Sequence, residues 1–492
     1  MTPTPSAVRH KGAILTIILV SYFMILLDNS VIFTALPSLE SDLGLSSAEL
    51  AWVQDAYTLV FGGFLLLGAR AGDILGRRRV FVVGLVVFAV ASLLISVAPT
   101  GWWVIAARAL QGIGAAVVAP SALSLLTASF EGRERSRAVA WYAATAGIGA
   151  SAGMLIGGAA ASWFSWRAGF IINVPIGLAM ILLAPRFLPE TPKAPGRFDV
   201  TGAVTSTLGV GALVFALLHG AEAGWAAALT IVSGLLAVVL LVTFVIAESR
   251  AAQPIMPLRL FRSWERSGAY LVRLLYLGAM IGFFFFTTQY LQGVLGFTPL
   301  QAGMAFLPMT LVNFAVALAI PRLVDRLGNV WPLLAGLLLT LGGMIWLAQL
   351  GPATAYVSGI AFPMVLIGAG QGLAFAPMTS MGIAGAAPSD AGAASGIVNT
   401  FHQVGMSLGL GILVAVATRA GTTGSGEASD PLEQQVSAAL TAGSALLALA
   451  VLVAVVASVA DHRSAHCGAS AAPPRAAVAL DSNEIPALAN EH

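Results

Sequence analysis

Charge is what this chain has least of. Only 9% of its 492 residues are Asp, Glu, Lys or Arg, against about 25% in an ordinary soluble globule, so a water-facing globular shell is excluded. Cysteine is almost missing too: the one thiol, Cys467, admits no disulfide framework and no cysteine-based metal site. Lysine occurs twice, as Lys11 and Lys193. Neither lies in a GxxxxGK[ST] phosphate loop, and no HExxH cluster occurs, which argues against an ATP-driven pump and against a membrane metalloenzyme. No cofactor or metal is expected. A formal net charge of +2 offers no field for nucleic acid.

What the chain has is apolar length. Its residues are 58% hydrophobic, and fourteen stretches, from 12–36 through 436–460, are long enough for about 20 apolar residues to cross a bilayer. The stretches are continuous rather than alternating. Helices, which satisfy their own backbone polar groups in lipid, are therefore expected rather than a membrane barrel. The first run continues well past Lys11 without a small-residue cleavage signal and is read as a span rather than a leader. The 53 glycines fit close helix packing.

Lys and Arg orient the spans. With the amino terminus in the cytoplasm, all but three of the 24 basic residues fall on the inner side, including Arg77, Arg78, Arg79, Arg259 and Arg273. Arg167 and Arg419 lie outside, and Arg108 lies within a span. Such asymmetry predicts both termini in the cytoplasm.

Two Pro-rich basic connections, 189–199 and 248–268, bracket spans 7 and 8. The expected organisation is an amino-terminal six-helix bundle over 1–188, two inserted helices with flanking linkers over 189–268, a second six-helix bundle over 269–460, and a disordered cytoplasmic tail over 461–492. Residues 250–268 are read either as an interfacial segment with Ile255, Met256, Leu258, Leu260, Phe261 and Trp264 in lipid, or as an ordinary ordered linker. The outer loop 420–434 reads as a solvated linker.

The chain repeats itself. GARAGDILGRRRV (Gly68 to Val80) joins spans 2 and 3, and PRLVDRLGN (Pro321 to Asn329) joins spans 10 and 11 in a weaker version of the same pattern. ALQGIGAAVVAP (Ala109 to Pro120) in span 4 is echoed by GAGQGLAFAP (Gly368 to Pro377) in span 12. Two related six-helix blocks with a site between them are a transporter architecture.

At these residues the sequence resembles the major facilitator superfamily, and within it the fourteen-span drug:proton antiporters of the QacA/EmrB type. The loop from Gly68 to Val80 looks like the superfamily's loop between spans 2 and 3. Ile105 to Ala116 (IAARALQGIGAA) is similar to its span 4 arginine motif, and Leu27 to Pro37 (LDNSVIFTALP) resembles the group's span 1 signature. Gly149 to Gly158 (GASAGMLIGG) resembles the span 5 antiporter motif, with Met154 where proline is usual. The resemblance implies an all-α membrane protein with the major facilitator fold. It further implies export of small lipophilic compounds, drugs or antibiotics, driven by protons through alternating access. An exporter of an endogenous metabolite or lipid-like molecule is the alternative, ahead of an uptake carrier or sensor. A monomer in the cell membrane is expected.

Asp28 lies 17 residues beyond Lys11, about 25 Å deep at 1.5 Å per residue, and an acid at that depth is a functional-site hypothesis. Asp55 lies about 9 Å from the outer face, as a cavity acid or an interfacial one that snorkels. Arg108, at similar depth, stays charged and needs a carboxylate. Asp28, Asp55 and Arg108 are the candidates for proton coupling and the substrate cavity, with Asp28 the favoured partner of Arg108. In the family, the loop acid, here Asp73 with Arg77 and Arg78, locks the cytoplasmic side by meeting a helix start, here near Ala391 to Ile397. Gly149, Gly153, Gly157 and Gly158 are read as packing positions of the antiporter motif. The run Phe283 to Phe286 is assigned mainly to lipid, and His219 and His402 receive no role.

Overall fold

The computed structural model describes residues 10–191, 193, 198–251, 254, 256–351, 354–387, 390–423 and 431–470, the last ten as backbone only. Among the described residues there are helices and no strands. Thirteen helices are long and apolar enough to span a membrane. They are α1 (Lys11–Leu43), α2 (Ser47–Leu75), α3 (Arg77–Ser96), α4 (Gly101–Ser129), α6 (Trp166–Phe187), α7 (Val200–Ala223), α8 (Ala228–Arg250), α9 (Trp264–Val294), α10 (Pro299–Leu327), α11 (Val330–Leu347), α12 (Val357–Ile383), α13 (Gly392–Gly421) and α14 (Pro431–Ala460). The 32-residue helix α5 (Gly132–Trp163) makes the fourteenth of spanning length.

Local chemistry sets the helix ends. Ser46 and Glu49 form a reciprocal capping box at the start of α2, and Thr298 and Gln301 form another at the start of α10, each pairing two backbone donors that the helix itself leaves without acceptors. Gly76, at φ 104°, turns the chain between α2 and α3, and Gly328, at φ 73°, turns it between α10 and α11. A side chain with a Cβ is strained at either angle, so glycine falls at the matching point of both repeats. Pro120 in α4 and Pro377 in α12 likewise lie inside corresponding helices.

The helices form two blocks of six. In the first, α4 packs on α2 and α3, α1 packs on α5, and α6 packs on α3 and α1. In the second, α12 packs on α11 and α10, while α9 packs on α14 and α13. The hairpin of α7 and α8 lies outside both, with α7 against α2 and α13 and α8 against α7.

The ends of the assembly differ. One, here the basic end, carries Lys11, Arg77, Arg78 and Arg79; the other is the far end. Within the connection 250–268, the described stretch 256–268 packs on the protein at the basic end rather than lying as a lipid-embedded segment. Leu260 is buried in a cluster with Tyr270, Ala394, Ile397 and Val398, against which Met256 and Phe261 pack. Burying these side chains against α13 removes the same apolar area from water as lipid would, and Arg259 secures the arrangement through two bonds to Asp390, of 2.6 and 3.0 Å. Leu258 and Trp264 stay exposed, and Ile255 lies outside the described residues. The backbone of the last helix continues to Ser470; the rest of the expected tail, 471–492, and residues 424–430 of the outer loop lie outside the described residues.

Candidate functional site

Asp28 and Arg108 meet in the middle of the first block. Both side chains are fully shielded, and Arg108 Nη1 donates to Asp28 Oδ2 at 2.7 Å. The Asp28 carboxylate also accepts from Gln111 Nε2 at 2.8 Å and from Asn173 Nδ2 at 2.7 Å. Arg108 donates further, to the Val53 carbonyl at 3.1 Å and to Gln111 Oε1 at 2.7 Å, and its guanidinium lies 4.2 Å from the centre of the Tyr57 ring. Four helices, α1, α2, α4 and α6, thus close on one ion pair. Glycines and alanines of α4 allow this approach: a Cβ at Gly112 would stand 2.7 Å from the Tyr57 carbonyl.

Asp55 is not part of this network. It is fully buried on α2, yet neither carboxylate oxygen has a hydrogen-bond partner. Its polar neighbours are Thr58 and, across the seam between the blocks, Ser407 of α13. Of the two acids at comparable depth, the structure joins only Asp28 to Arg108 and turns Asp55 toward the other block. Beside them, Gln54 Nε2 donates to Asn29 at 3.2 Å.

The loop residues Asp73, Arg77 and Arg78 are placed at the basic end, and among the described residues no hydrogen bond or ion pair joins Asp73 to α13. Asp73 accepts from Arg77 at 3.0 Å, one turn away. Arg77 also donates to the Ser124 carbonyl, while the Arg78 side chain holds the carbonyls of Pro185 and Leu188 at the end of α6. Glu190 lies 3.5 Å from Arg78 and 3.8 Å from Arg79. The start of α13 is occupied instead by Asp390, whose carbonyl accepts from the Ala394 amide and whose carboxylate holds Arg259.

The α5 glycines are contact points of two kinds. A Cβ at Gly149 would lie 2.8 Å from Leu26, one at Gly153 2.6 Å from the Leu27 carbonyl, and one at Gly157 2.8 Å from Val31, all on α1. Gly158 faces the other block, where a Cβ would come within 2.5 Å of the Pro299 carbonyl; reciprocally, one at Gly303 would come within 2.5 Å of the Met154 carbonyl. The far end is closed along this line. The Leu300 amide donates to Ser162 at 3.0 Å, and Gln292 donates to the Thr34 carbonyl at 3.2 Å. The phenylalanine run belongs to this closure rather than to lipid: Phe283, Phe285 and Phe286 are buried, and Phe284 stacks on Phe33 of α1 at 5.5 Å.

Sequence reasoning missed one charged group. Arg273, counted among the basic residues of the inner side, lies inside α9 and is 3% exposed. It donates to Thr379 of α12 at 2.7 Å and contacts His402 Nδ1 of α13 at 3.1 Å. The available signal was its position four residues past the start of an apolar stretch at 269.

Two pseudo-equivalent six-helix blocks, a buried ion pair in the first and direct contact between the blocks at the far end of their seam define a secondary transporter of the alternating-access class. The comparisons agree. The sequence profile of the Major Facilitator Superfamily matches residues 18–410, and the chain belongs to that superfamily. It is 41% identical over 422 residues to the cephamycin export protein CmcT of Amycolatopsis lactamdurans, covering 84% of this chain and 85% of that one. It is 39% identical over 412 residues to the puromycin resistance protein pur8 of Streptomyces alboniger, covering 82% of each. Among solved structures, a bacterial homolog of the human lysosomal transporter Spinster, inward-facing and occupied, superposes with a TM-score of 0.67 over 93% of this chain and 98% of that one, at 14% identity. The chain is a multi-pass membrane transporter and not an enzyme.

Proposed function

We propose that this chain exports small lipophilic compounds, antibiotics among them, across the cell membrane in exchange for protons. The basic end is then the cytoplasmic side, with both termini in the cytoplasm, because cytoplasmic flanks of membrane helices hold the excess of Lys and Arg. The far-end contacts make the conformation one closed to the outside. Asp73, bonded to Arg77 instead of the start of α13, is the unlatched form of the cytoplasmic lock. One chain carries both blocks, so a monomer completes the path.

The substrate class is supported by the two relatives named for antibiotic export and resistance. The observation that carries the coupling is the contrast between two buried acids. Asp28 has an arginine and two amides as partners, whereas Asp55 has no charged or amide partner and faces the seam along which the blocks must slide. An ionisable group in such a place is functional by default. Asp55 takes up and releases the proton, and the Asp28–Arg108 pair holds α1, α2, α4 and α6 together as the first block rocks.

The test uses everted membrane vesicles with an acidified lumen, and puromycin and ethidium as probes. Gradient-dependent accumulation is expected, collapsing on addition of a protonophore. Accumulation indifferent to the gradient overturns proton exchange, and no accumulation overturns export.

A further inference from the structure

The second block contains a buried cation that has no carboxylate. Among the described residues, no Asp or Glu oxygen lies within 4.0 Å of Arg273. Its bonds go to two neutral acceptors, the Thr379 hydroxyl and His402 Nδ1, and its Nε is buried without an acceptor. A guanidinium is charged under all ordinary conditions and only donates. His402 Nδ1 must therefore be unprotonated in this contact, which leaves the ring neutral with its remaining N–H on Nε2. Thr379 passes its own hydroxyl proton to the Phe375 carbonyl at 3.0 Å. The group is thus a net positive charge with donors to spare, in the opposite condition to Arg108, which is neutralised by Asp28 at 2.7 Å.

Its surroundings suit a ligand with an acidic head and an apolar body. Arg273 is nine residues beyond Trp264 at the start of α9, about 13 Å along the helix, and lies four residues inside the apolar stretch that begins at 269. The guanidinium carbon lies 4.5 Å from the centre of the Phe375 ring, and Phe375 is itself 36% exposed. The same face of α12 carries exposed Ala376, Ser380 and Ile383. Of the other charged groups, Asp28 is taken by Arg108, and Asp55 lies against Ser407, five residues or about 7 Å further along α13 from His402.

We propose that Arg273, with His402 and Thr379, forms a subsite that receives the carboxylate of an acidic lipophilic substrate, while Phe375 covers its apolar body. The planar guanidinium fork matches a carboxylate in geometry as well as in charge. This rests on the export reading and narrows it to a substrate class. The carboxylate supplies the missing counter-charge of the second block, so an acidic substrate is held there without displacing the Asp28–Arg108 pair of the first.

The experiment measures binding to the purified full-length protein, using cefoxitin, which carries one carboxylate, and its methyl ester. The acid should bind at least about tenfold more tightly than the ester, the worth of one charge-assisted hydrogen bond. Arg273→Gln should reduce that ratio to about one, Arg273→Lys should restore part of it, and His402→Gln should lower it less than Arg273→Gln. Equal binding of acid and ester by the wild type overturns the subsite, as does a preference that survives in folded Arg273→Gln. Should Arg273→Gln not fold, the wild-type ratio decides alone. Failure of the export reading shows separately, as wild-type vesicles that accumulate neither puromycin nor ethidium.

Discussion

Arg108 reaches from α4 to donate to Asp28 of α1 at 2.7 Å, with both side chains at zero exposure. Replacing Asp28 by Asn removes the counter-charge and leaves the guanidinium alone in a low-dielectric interior, a loss of about 3–5 kcal/mol. The unfolding temperature of Asp28→Asn should fall clearly, together with gradient-driven export. Adding Arg108→Gln should recover most of the stability and none of the transport. Should the double variant be no more stable than the single one, the ion pair is not what Asp28 contributes.

Asp55 should behave oppositely. Its carboxylate has no charged partner to lose, only the hydroxyls of Thr58 and Ser407 beside it, so Asp55→Asn should unfold at or above the wild-type temperature. Its export should no longer respond to the pH gradient, although downhill movement of puromycin persists. Gradient-driven accumulation at the wild-type rate by this variant would falsify the assignment of the proton to Asp55.

The far-end closure depends on backbone contact across the seam. A leucine at Gly158 puts a Cβ 2.5 Å from the Pro299 carbonyl and 3.0 Å from Leu300 Cα, and α5 and α10 must separate to admit it. Overpacking of this kind costs about 1–3 kcal/mol, and each 1.4 kcal/mol shifts a conformational population about tenfold. Cysteines placed on the far half of the cavity wall should label faster in Gly158→Leu, and export should slow. Gly149→Leu, which faces α1 within the first block, should destabilise the protein without raising far-end labelling.

The linker at the basic end should loosen in acid. The hydrogen bonds from Arg259 hold the Asp390 carboxyl below its ordinary value, and Asp390 in turn raises Arg259. A depressed carboxylate contributes order that is complete above its unfolded value, about 3.9, and is lost as pH falls through the lower folded value. Amide exchange over residues 256–262, corrected for the intrinsic rate, should therefore stay flat from neutral pH down to the unfolded value, about 3.9, and rise as pH falls from there through the lower folded value. Arg259→Gln should show the faster exchange already at neutral pH.

Fourteen spans and their grouping into blocks could be read along the chain because lipid imposes a one-dimensional rule: each helix must be apolar for about 20 residues and must satisfy its own backbone. The depth of Asp28, Asp55 and Arg108 followed from the same rule, since position along a straight helix is residue number times rise. Depth alone paired Asp28 with Arg108. It could not say that Asp55 turns away toward Ser407, because a hundred degrees of rotation per residue separates neighbours at equal depth and only packing fixes which way each points.

The same limit explains the other differences. Phe283 to Phe286 run all round their helix, and whether lipid or a second block covers them depends on the seam formed with α1 and α10. Leu260 and Phe261 are as apolar as a membrane anchor requires, yet Ile397 and Val398 of α13 lie close enough to bury Leu260 within the protein. Arg273 read as one more basic residue at a span edge, and its three neighbours come from helices more than a hundred residues apart in sequence. Solvation by lipid, helix number, inside-positive bias and the repeat belong to the sequence by itself, because each is a property of one segment or of two compared. Which charges meet, which stay unpaired and which residues of the two blocks touch at the far end were decided by tertiary structure, because they depend on helix rotation and on the fit between two blocks.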